Sequence, residues 1–404
     1  MTDEINPNKP HKGGSHISSA YTAQIAKQFD RPESIPHNGE IHAGAIQQNS
    51  PVIPMIRVSG SHLEIGQQIG LACSAQIRHS IDNAKALIYS IYSDLQLNWE
   101  GAKIQSHKYL PFAQERYPQY LAELAGMAEG AQVSFDDLMV VNAMEAVTMD
   151  ALHLTKCTSM AVNEDRTADG HVLVAHNEDW LPEDEKDVYL VHASPDDEPP
   201  FLAMTYGGLL PNIGFNANGI AQCCDSVYPT DSRIGIPRVI VSRAVLAAKD
   251  PDTAIRSTLI PQRAAGYNHL IVHESGELYS VEVSARRFAV LYGEEGYIVH
   301  TNHYLDYNME QVENEPDELI ATRVRYFRAL RMLRRTPLHT IKTLQAIQRD
   351  HVNFPNSICN HSMDDIDPLE REKTINSLII DLTARAMHIA LGNPCTSHYH
   401  TYYL

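Results

Sequence analysis

Apolar positions recur at two periods along this chain, and the first lasting change from the helical to the strand period falls near residue 156. From residue 62 onward, Ile69, Cys73, Ile77, Ile81, Ala84, Ile88 and Ile91 fall at helical spacing and line one face of a helix. The pattern predicts a long amphipathic helix over residues 62–95. Ser61 and Glu64 open it as a capping box, the hydroxyl taking a free backbone N–H and the carboxylate reaching back. Residues 101–130 continue as helix with an interruption at Tyr117-Pro118. Ser134 caps a further helix, with Val133 against Leu138 as its hydrophobic staple. Only one short strand, over residues 52–58, is expected before residue 156.

Strand-like runs dominate afterwards. They cover residues 158–162, 171–175, 188–192, 202–206, 213–216, 220–224, 269–273, 278–283, 288–292 and 297–301, and a closing hairpin is expected over 377–381 and 386–390. Asp169-Gly170, Asn218-Gly219 and Ser275-Gly276 supply turn chemistry. Helices are expected over 238–249, 252–258, 317–335 and 339–349. Helices, strands, helices, then strands, with many hairpins, favour an antiparallel layered α/β architecture over a doubly wound one. Residues 1–50 are rich in Pro, Gly, Ser, Asn and His without periodicity, and read as a loosely ordered arm before a single domain, 51–404.

Composition narrows the partners. A formal net charge of −18 argues against nucleic acid or an anionic membrane surface. No apolar run is long enough to span a bilayer, and the N-terminus lacks the basic and apolar regions of a signal peptide. Six scattered cysteines do not form a disulfide framework, which points to a reducing, cytoplasmic compartment.

The candidate chemistry begins where the period changes. Lys156-Cys157-Thr158-Ser159 opens the strand-rich part, and the polar cluster His176-Asn177-Glu178-Asp179-Trp180 closes the next strand run. A thiol of ordinary pKa, about 8.5, needs a base to attack a carbonyl at neutral pH. Its own α-amine, titrating at about 7.7–8.0, is such a base if the chain is cut before Cys157. From the local residues alone, a small buried cysteine at a strand start is the preferred reading of Cys157.

An ordered set of motifs adds to that reading. Lys156-Cys157-Thr158-Ser159, the cluster ending at Trp180, Asn216-Ala217-Asn218-Gly219-Ile220, Gly266-Tyr267-Asn268-His269, His300-Thr301-Asn302-His303 and Gly392-Asn393-Pro394-Cys395 follow in sequence. Together they resemble the isopenicillin N acyltransferase-like family of self-cleaving cysteine enzymes. Upstream, Gly60 to Gly66 and Glu129 to Phe135 extend the resemblance, which covers roughly residues 52–396. It implies an α+β fold, the four-layer αββα sandwich of N-terminal nucleophile hydrolases with largely antiparallel sheets. It also implies self-cleavage between Lys156 and Cys157, giving fragments 1–156 and 157–404 that stay associated. Cys157 is then the nucleophile, Asp179 a carboxylate near it, Asn268 an oxyanion-hole donor, Asn177 and Thr322 supports, and Arg323 the partner of Thr322. Lys156 departs from the glycine found before the cysteine in many members; glycine strains more cheaply.

Other constellations are weaker. The arginines from Arg323 to Arg335 suggest either a phosphate site, as for coenzyme A, or a solvated helix face; the second is preferred. His300 with His303 and His398 with His400 lack companions at ligand spacing, so no metal is expected, and no motif supports another cofactor. The expected activity is hydrolysis of a linear amide bond in a small N-acyl amine through a thioester on Cys157. Acyl transfer to an amine, and a non-catalytic binding protein on the same fold, are the alternatives. Oligomeric state is left open.

Overall fold

The computed structural model describes residues 51–90, 97–148, 156–314, 319–363 and 371–404. The expected arm, 1–50, and residues 91–95 of the first expected helix lie outside them.

Two sheets form the centre. Strands β1 (Met55–Gly60), β2 (Lys156–Val162), β3 (Leu173–Trp180), β4 (Val188–Pro195), β5 (Phe201–Tyr206), β6 (Ile213–Asn216) and β7 (Ile220–Asp225) come first. They are followed by β8 (Tyr267–His273), β9 (Leu278–Val283), β10 (Phe288–Tyr292), β11 (Tyr297–His300), β12 (Lys373–Asp381), β13 (Ala386–Leu391) and β14 (His400–Tyr403). One sheet runs β1-β4-β5-β6-β7-β8-β9-β10 and the other β11-β2-β3-β12-β13-β14. Every pairing is antiparallel except β1 with β4.

Three apolar layers hold four structural layers together. Val174, Leu202, Phe215, Ala221, Leu270 and Leu378 pack between the two sheets. Met160, Val162, Ala175 and Ile379 pack on Ala329, Leu333, Leu344 and Ile347 of the helices Ile320–Arg335 and Ile341–Gln348. Tyr189, Val191 and Phe201 pack on Ile69, Ile77, Leu124 and Ile240 from helices on the other side. The fold is therefore the αββα sandwich that the resemblance implied, and its class is α+β.

Alternation along the central strands decides which residues meet. Ala161 of β2 joins the layer between the sheets, whereas Met160 and Val162 face the helices. By the two-residue period, Cys157 and Ser159 point between the sheets, while Lys156 and Thr158 point to the helical side. Cys157 stands opposite Glu178, and Ser159 opposite His176.

The helical half packs at unusually close range. The helices His62–Ala72 and Pro118–Ala131 cross through Gly66, Gly70, Gly126 and Gly130. A Cβ on Gly126 would stand 2.2 Å from the Leu63 carbonyl oxygen, so the crossing excludes side chains there. Beside it, the buried Arg243 donates to Glu123 (3.0 Å) and Glu198 (3.0 Å).

The expected capping box is present: Ser61 N donates to Glu64 Oε2 at 2.9 Å and Glu64 N to Ser61 Oγ at 3.4 Å. The single helix expected over 62–95 is instead two, His62–Ala72 and Ser74–Ser90, broken at Cys73. Ile69, Cys73 and Ile77 all stay buried across the break, so the apolar stripe runs through it unchanged. The polar cluster expected to close a strand run lies inside β3, which continues to Trp180. Among the described residues, no helix is long and apolar enough to cross a membrane.

Candidate active site

Cys157 is buried, and two side chains fix its backbone. Its N–H donates to Asn302 Oδ1 at 2.7 Å. Its carbonyl accepts a short hydrogen bond from Arg325 Nη1. The same guanidinium donates to Thr158 Oγ1 at 3.0 Å and to Asn302 Oδ1 at 2.9 Å. Asn302 follows β11 and is itself held: its N–H donates to Thr322 Oγ1 at 2.8 Å and its Nδ2 to the Ser226 carbonyl at 3.0 Å. The peptide group before Cys157 and the one after it are thus both clamped.

Between the sheets a buried polar network continues from β2. Ser159 Oγ donates to Asp225 Oδ1 (2.7 Å) and lies 2.9 Å from His176 Nδ1. His176 Nε2 is 2.8 Å from Glu178 Oε2, and Tyr206 OH donates to Glu178 Oε1 at 3.2 Å. The Cys157 sulfur, a His176 ring nitrogen and a Glu178 oxygen lie within 4.8 Å of one another. From the facing sheet, Asn268 Nδ2 donates to Asp225 Oδ2 at 2.9 Å and Asn268 Oδ1 accepts from Ser280 Oγ at 2.7 Å. His300 bridges Glu282 (2.9 Å) and Asp225 (3.4 Å).

Burial and charge set the protonation states. Burial first, then Glu178, Asp225 and Asp179, push the Cys157 thiol well up, against a smaller opposing effect of Arg325. In the uncut chain the sulfur is a neutral thiol, and any attack needs a base beside it. Asp179 is raised by burial to about 7, with Arg325, the Thr374 hydroxyl and Lys156 acting the other way. Its Oδ1 accepts from Thr374 Oγ1 at 2.6 Å, and its Oδ2 is buried without a hydrogen-bond partner. Glu372 is raised to about 8 by burial and sits 3.1 Å from Lys156 Nζ. For His300, burial alone would lower the pKa, but its two carboxylate partners outweigh it and raise it to about 9, so the ring is an imidazolium at neutral pH.

The structure brings some of the sequence-derived residues together and separates others. Lys156 and Asp179 are directly opposed in the β2–β3 register, on the helical side of the sheet. Asn268 reaches β2 through Asp225 and Ser159. Thr322 holds Asn302. Asn177 donates to the Gln348 and Ile358 carbonyls at 3.0 and 2.8 Å and anchors β3 to the helical layer. Arg323 is not at Cys157: it is about one-third exposed and pairs with Glu313 at 3.0 Å. Two residues on a helix differ by roughly 200° in direction, and it is the buried Arg325 that faces β2. Arg328 likewise pairs with Asp350 at 2.6 Å and Arg334 with the Tyr297 hydroxyl at 2.9 Å, so these arginines have protein partners. His176, Glu178 and Asn302 stood in the quoted motifs without a role of their own, and Asp225 and Arg325 were not singled out from sequence. The signal for Asp225 was an acid closing a buried strand; for Arg325 there was none, because helix phase is not readable from an arginine run.

A small cleft of about 50 Å³ opens beside Tyr206, whose hydroxyl donates to Glu178. Ala84, Leu87, Val141, Trp180, Leu181 and Tyr206 give it mostly apolar walls.

The chain is similar to several known proteins. A beta-alanyl-dopamine/carcinine hydrolase from Drosophila melanogaster is 26% identical over 234 residues, 53% of this chain. That match spans 59% of the relative's length, less than two thirds of it. The acyl-coenzyme A:6-aminopenicillanic-acid-acyltransferase 40 kDa form of Emericella nidulans is 23% identical over 342 residues, 84% of this chain and 92% of the relative. Among solved structures, penicillin V acylase from Agrobacterium tumefaciens is 15% identical with a TM-score of 0.41, covering 58% of this chain and 83% of that one. The profile of the acyl-coenzyme A:6-aminopenicillanic acid acyl-transferase family matches residues 165–396, more than half of the sequence, and the chain belongs to that family.

Proposed function

We propose that this protein cuts itself between Lys156 and Cys157 and then hydrolyses a linear amide bond of a small N-acyl amine. The observation that carries the proposal is the double clamp on Cys157, with its N–H on Asn302 Oδ1 (2.7 Å) and its carbonyl on Arg325. A clamped peptide ahead of a cysteine is what intramolecular attack by the thiol on the Lys156 carbonyl requires. Sulfur would add to that carbon, the Cys157 nitrogen would leave with a proton, and water would release the thioester as the Lys156 carboxylate.

The freed nitrogen becomes an amine on the same residue as the thiol, beside Asn302 Oδ1. It supplies a base on the nucleophile's own residue. In turnover the thiol adds to the substrate amide carbonyl while the amine takes its proton. The amine partner leaves protonated, and water hydrolyses the acyl-cysteine. Asp179, opposite Lys156 in register, would help hold the new amine charged or neutral as needed. The small, mostly apolar cleft beside Tyr206 is suited to a small group of such a substrate. The Drosophila relative, whose name gives β-alanyl amines as substrates, supports this class.

Intact mass of the purified protein under denaturing conditions tests the reading. Two pieces, ending at Lys156 and starting at Cys157, are expected, with Cys157→Ala giving one uncut, inactive chain. A single uncut species that turns over amides would overturn it. Acyl transfer is the second reading, favoured by the long match to the Emericella acyltransferase. Product analysis with and without an added amine acceptor distinguishes the two.

A further inference from the structure

On the helical side of the six-stranded sheet, away from Cys157, four ligand-type side chains converge. His351 follows the helix Ile341–Gln348, Cys359 and His361 lie in the next loop, and Cys395 follows β13. One ligand atom from each of the four lies within 4.8 Å of all the others. His361 Nε2 is 3.1 Å from His351 Nε2, 3.4 Å from Cys359 Sγ and 3.5 Å from Cys395 Sγ.

Hydrogen bonding alone does not account for this packing. A ring nitrogen carries one hydrogen or one lone pair, so it serves one neighbour. Here His361 Nε2 has three, and one of them is another Nε2 aimed back at it. A cation at the centre would accept all four lone pairs at once. The distances match that arrangement. With Zn–N of about 2.05 Å and Zn–S of about 2.3 Å, a regular tetrahedron has N···N edges of about 3.3 Å and N···S edges of about 3.6 Å. The observed edges are 3.1, 3.4 and 3.5 Å. Asn393 Nδ2 also approaches Cys359 Sγ at 3.5 Å, the kind of N–H donor that supports a ligating thiolate.

We propose that His351, Cys359, His361 and Cys395 form a structural zinc site with four protein ligands. Two nitrogens and two sulfurs in a tetrahedron select zinc over hard cations, and four protein ligands leave no open position for chemistry. Its role is to pin the loop from Asp350 to His361 against the sheet. That loop places Asn356 Oδ1 3.2 Å from Lys156 Nζ. It also places the Asn360 N–H 2.9 Å from Thr374 Oγ1, whose hydroxyl donates to Asp179 at 2.6 Å. The expectation of no metal rested on other histidine pairs; these four residues are not at a recognised sequence spacing and meet only in the fold.

The test is elemental analysis of full-length protein purified under reducing conditions, without chelator or polyhistidine tag. One zinc per chain is expected, retained in Cys157→Ala and lost in a Cys359→Ser/Cys395→Ser double variant. If that variant fails to fold, cobalt exchanged into the wild-type protein serves instead, and should give the visible bands and thiolate charge-transfer absorption of a tetrahedral two-sulfur site. Three outcomes would overturn the proposal: no zinc bound or taken up by the reduced protein, full zinc retention in the double variant, or a cobalt spectrum without two thiolates. Isolation with Cys359 and Cys395 joined as a disulfide would overturn it too.

Discussion

Arg325 offers the sharpest test of the site, because Arg323 is an internal control two residues away. Replacing Arg325 by Met keeps a similar stem and removes the charge from a fully buried position. Three acceptors lose their donor: the Cys157 carbonyl, Thr158 Oγ1 and Asn302 Oδ1. Asp179 and Glu372, both buried and both already raised by burial, also lose the guanidinium that opposes that rise. Breaking a buried charge arrangement of this kind costs about 3–5 kcal/mol, more than any one lost hydrogen bond. Arg323→Met removes a partly exposed pair with Glu313, which costs about 1 kcal/mol or less.

The stability difference should be measured by urea unfolding in the Cys157→Ala background, so that cutting of the chain does not enter. Arg325→Met should lower stability by about 3 kcal/mol or more and Arg323→Met by about 1 kcal/mol at most. With Cys157 restored, intact mass should show Arg325→Met accumulating uncut chain and Arg323→Met cut like the wild type. An Arg325→Met protein within about 1 kcal/mol of its parent that still cuts completely would refute the clamp. So would a larger loss from Arg323→Met than from Arg325→Met.

Gly126→Val would drive a side chain into the Leu63 carbonyl oxygen, 2.2 Å from the Cβ position, and backbone cannot yield there as a side chain can. A stability loss of about 3 kcal/mol or more, read by urea unfolding, is expected, at the upper end of overpacking costs. Ala84→Phe would fill the cleft beside Tyr206; raised KM with unchanged self-cleavage is expected, and an unchanged KM would exclude the cleft from substrate binding. His300 has its folded pKa raised to about 9, against about 6.5 unfolded. Its contribution to stability is therefore complete below pH of about 6.5 and is lost as pH rises through about 9. Asp179 is raised to about 7 from about 3.9, so its contribution is complete below about 3.9 and is lost as pH rises through about 7. In Cys157→Ala, stability followed against pH should fall across both windows. His300→Gln should flatten the upper one and Asp179→Asn the lower, and parallel curves for all three proteins would disprove the assignment.

How much of this was legible in the sequence follows from the range of the interactions. The capping box at Ser61 and Glu64 spans three residues and could be read directly. So could the alternation of β2 and the turn at Asn218-Gly219, where Gly219 has φ of +78°. The break at Cys73 could not, because the apolar stripe continues through it. β14 was missed: four half-exposed and exposed residues at the end of the chain give no apolar alternation to detect. Within the candidate site, Cys157 and Asp179 were proposed from sequence, but the residues that touch Cys157 were not. Asn302 lies 145 positions away and Arg325 168 positions away. Their contact depends on how helix Ile320–Arg335 is rotated over the sheet, which no local pattern encodes.

The two-residue period of β2 links these findings. It sends Cys157 and Ser159 toward Asp225, His176 and Glu178 between the sheets, and Lys156 and Thr158 toward the helical layer. The bond between Lys156 and Cys157 therefore joins residues whose side chains occupy different layers with different controls. On the inner side burial, and after it the neighbouring acids, hold the thiol pKa well up. On the outer side Glu372 and Asn356 hold the lysine ammonium at 3.1 and 3.2 Å. Arg325 is the element common to both, since it reaches the Cys157 carbonyl through the backbone while its charge opposes the raised pKa values of Asp179 and Glu372. A glycine at position 156 would be conformationally freer but would forfeit the outer tether. Lysine exchanges conformational ease for a fixed position, and that exchange is consistent with a bond held in one geometry rather than one left free to bend.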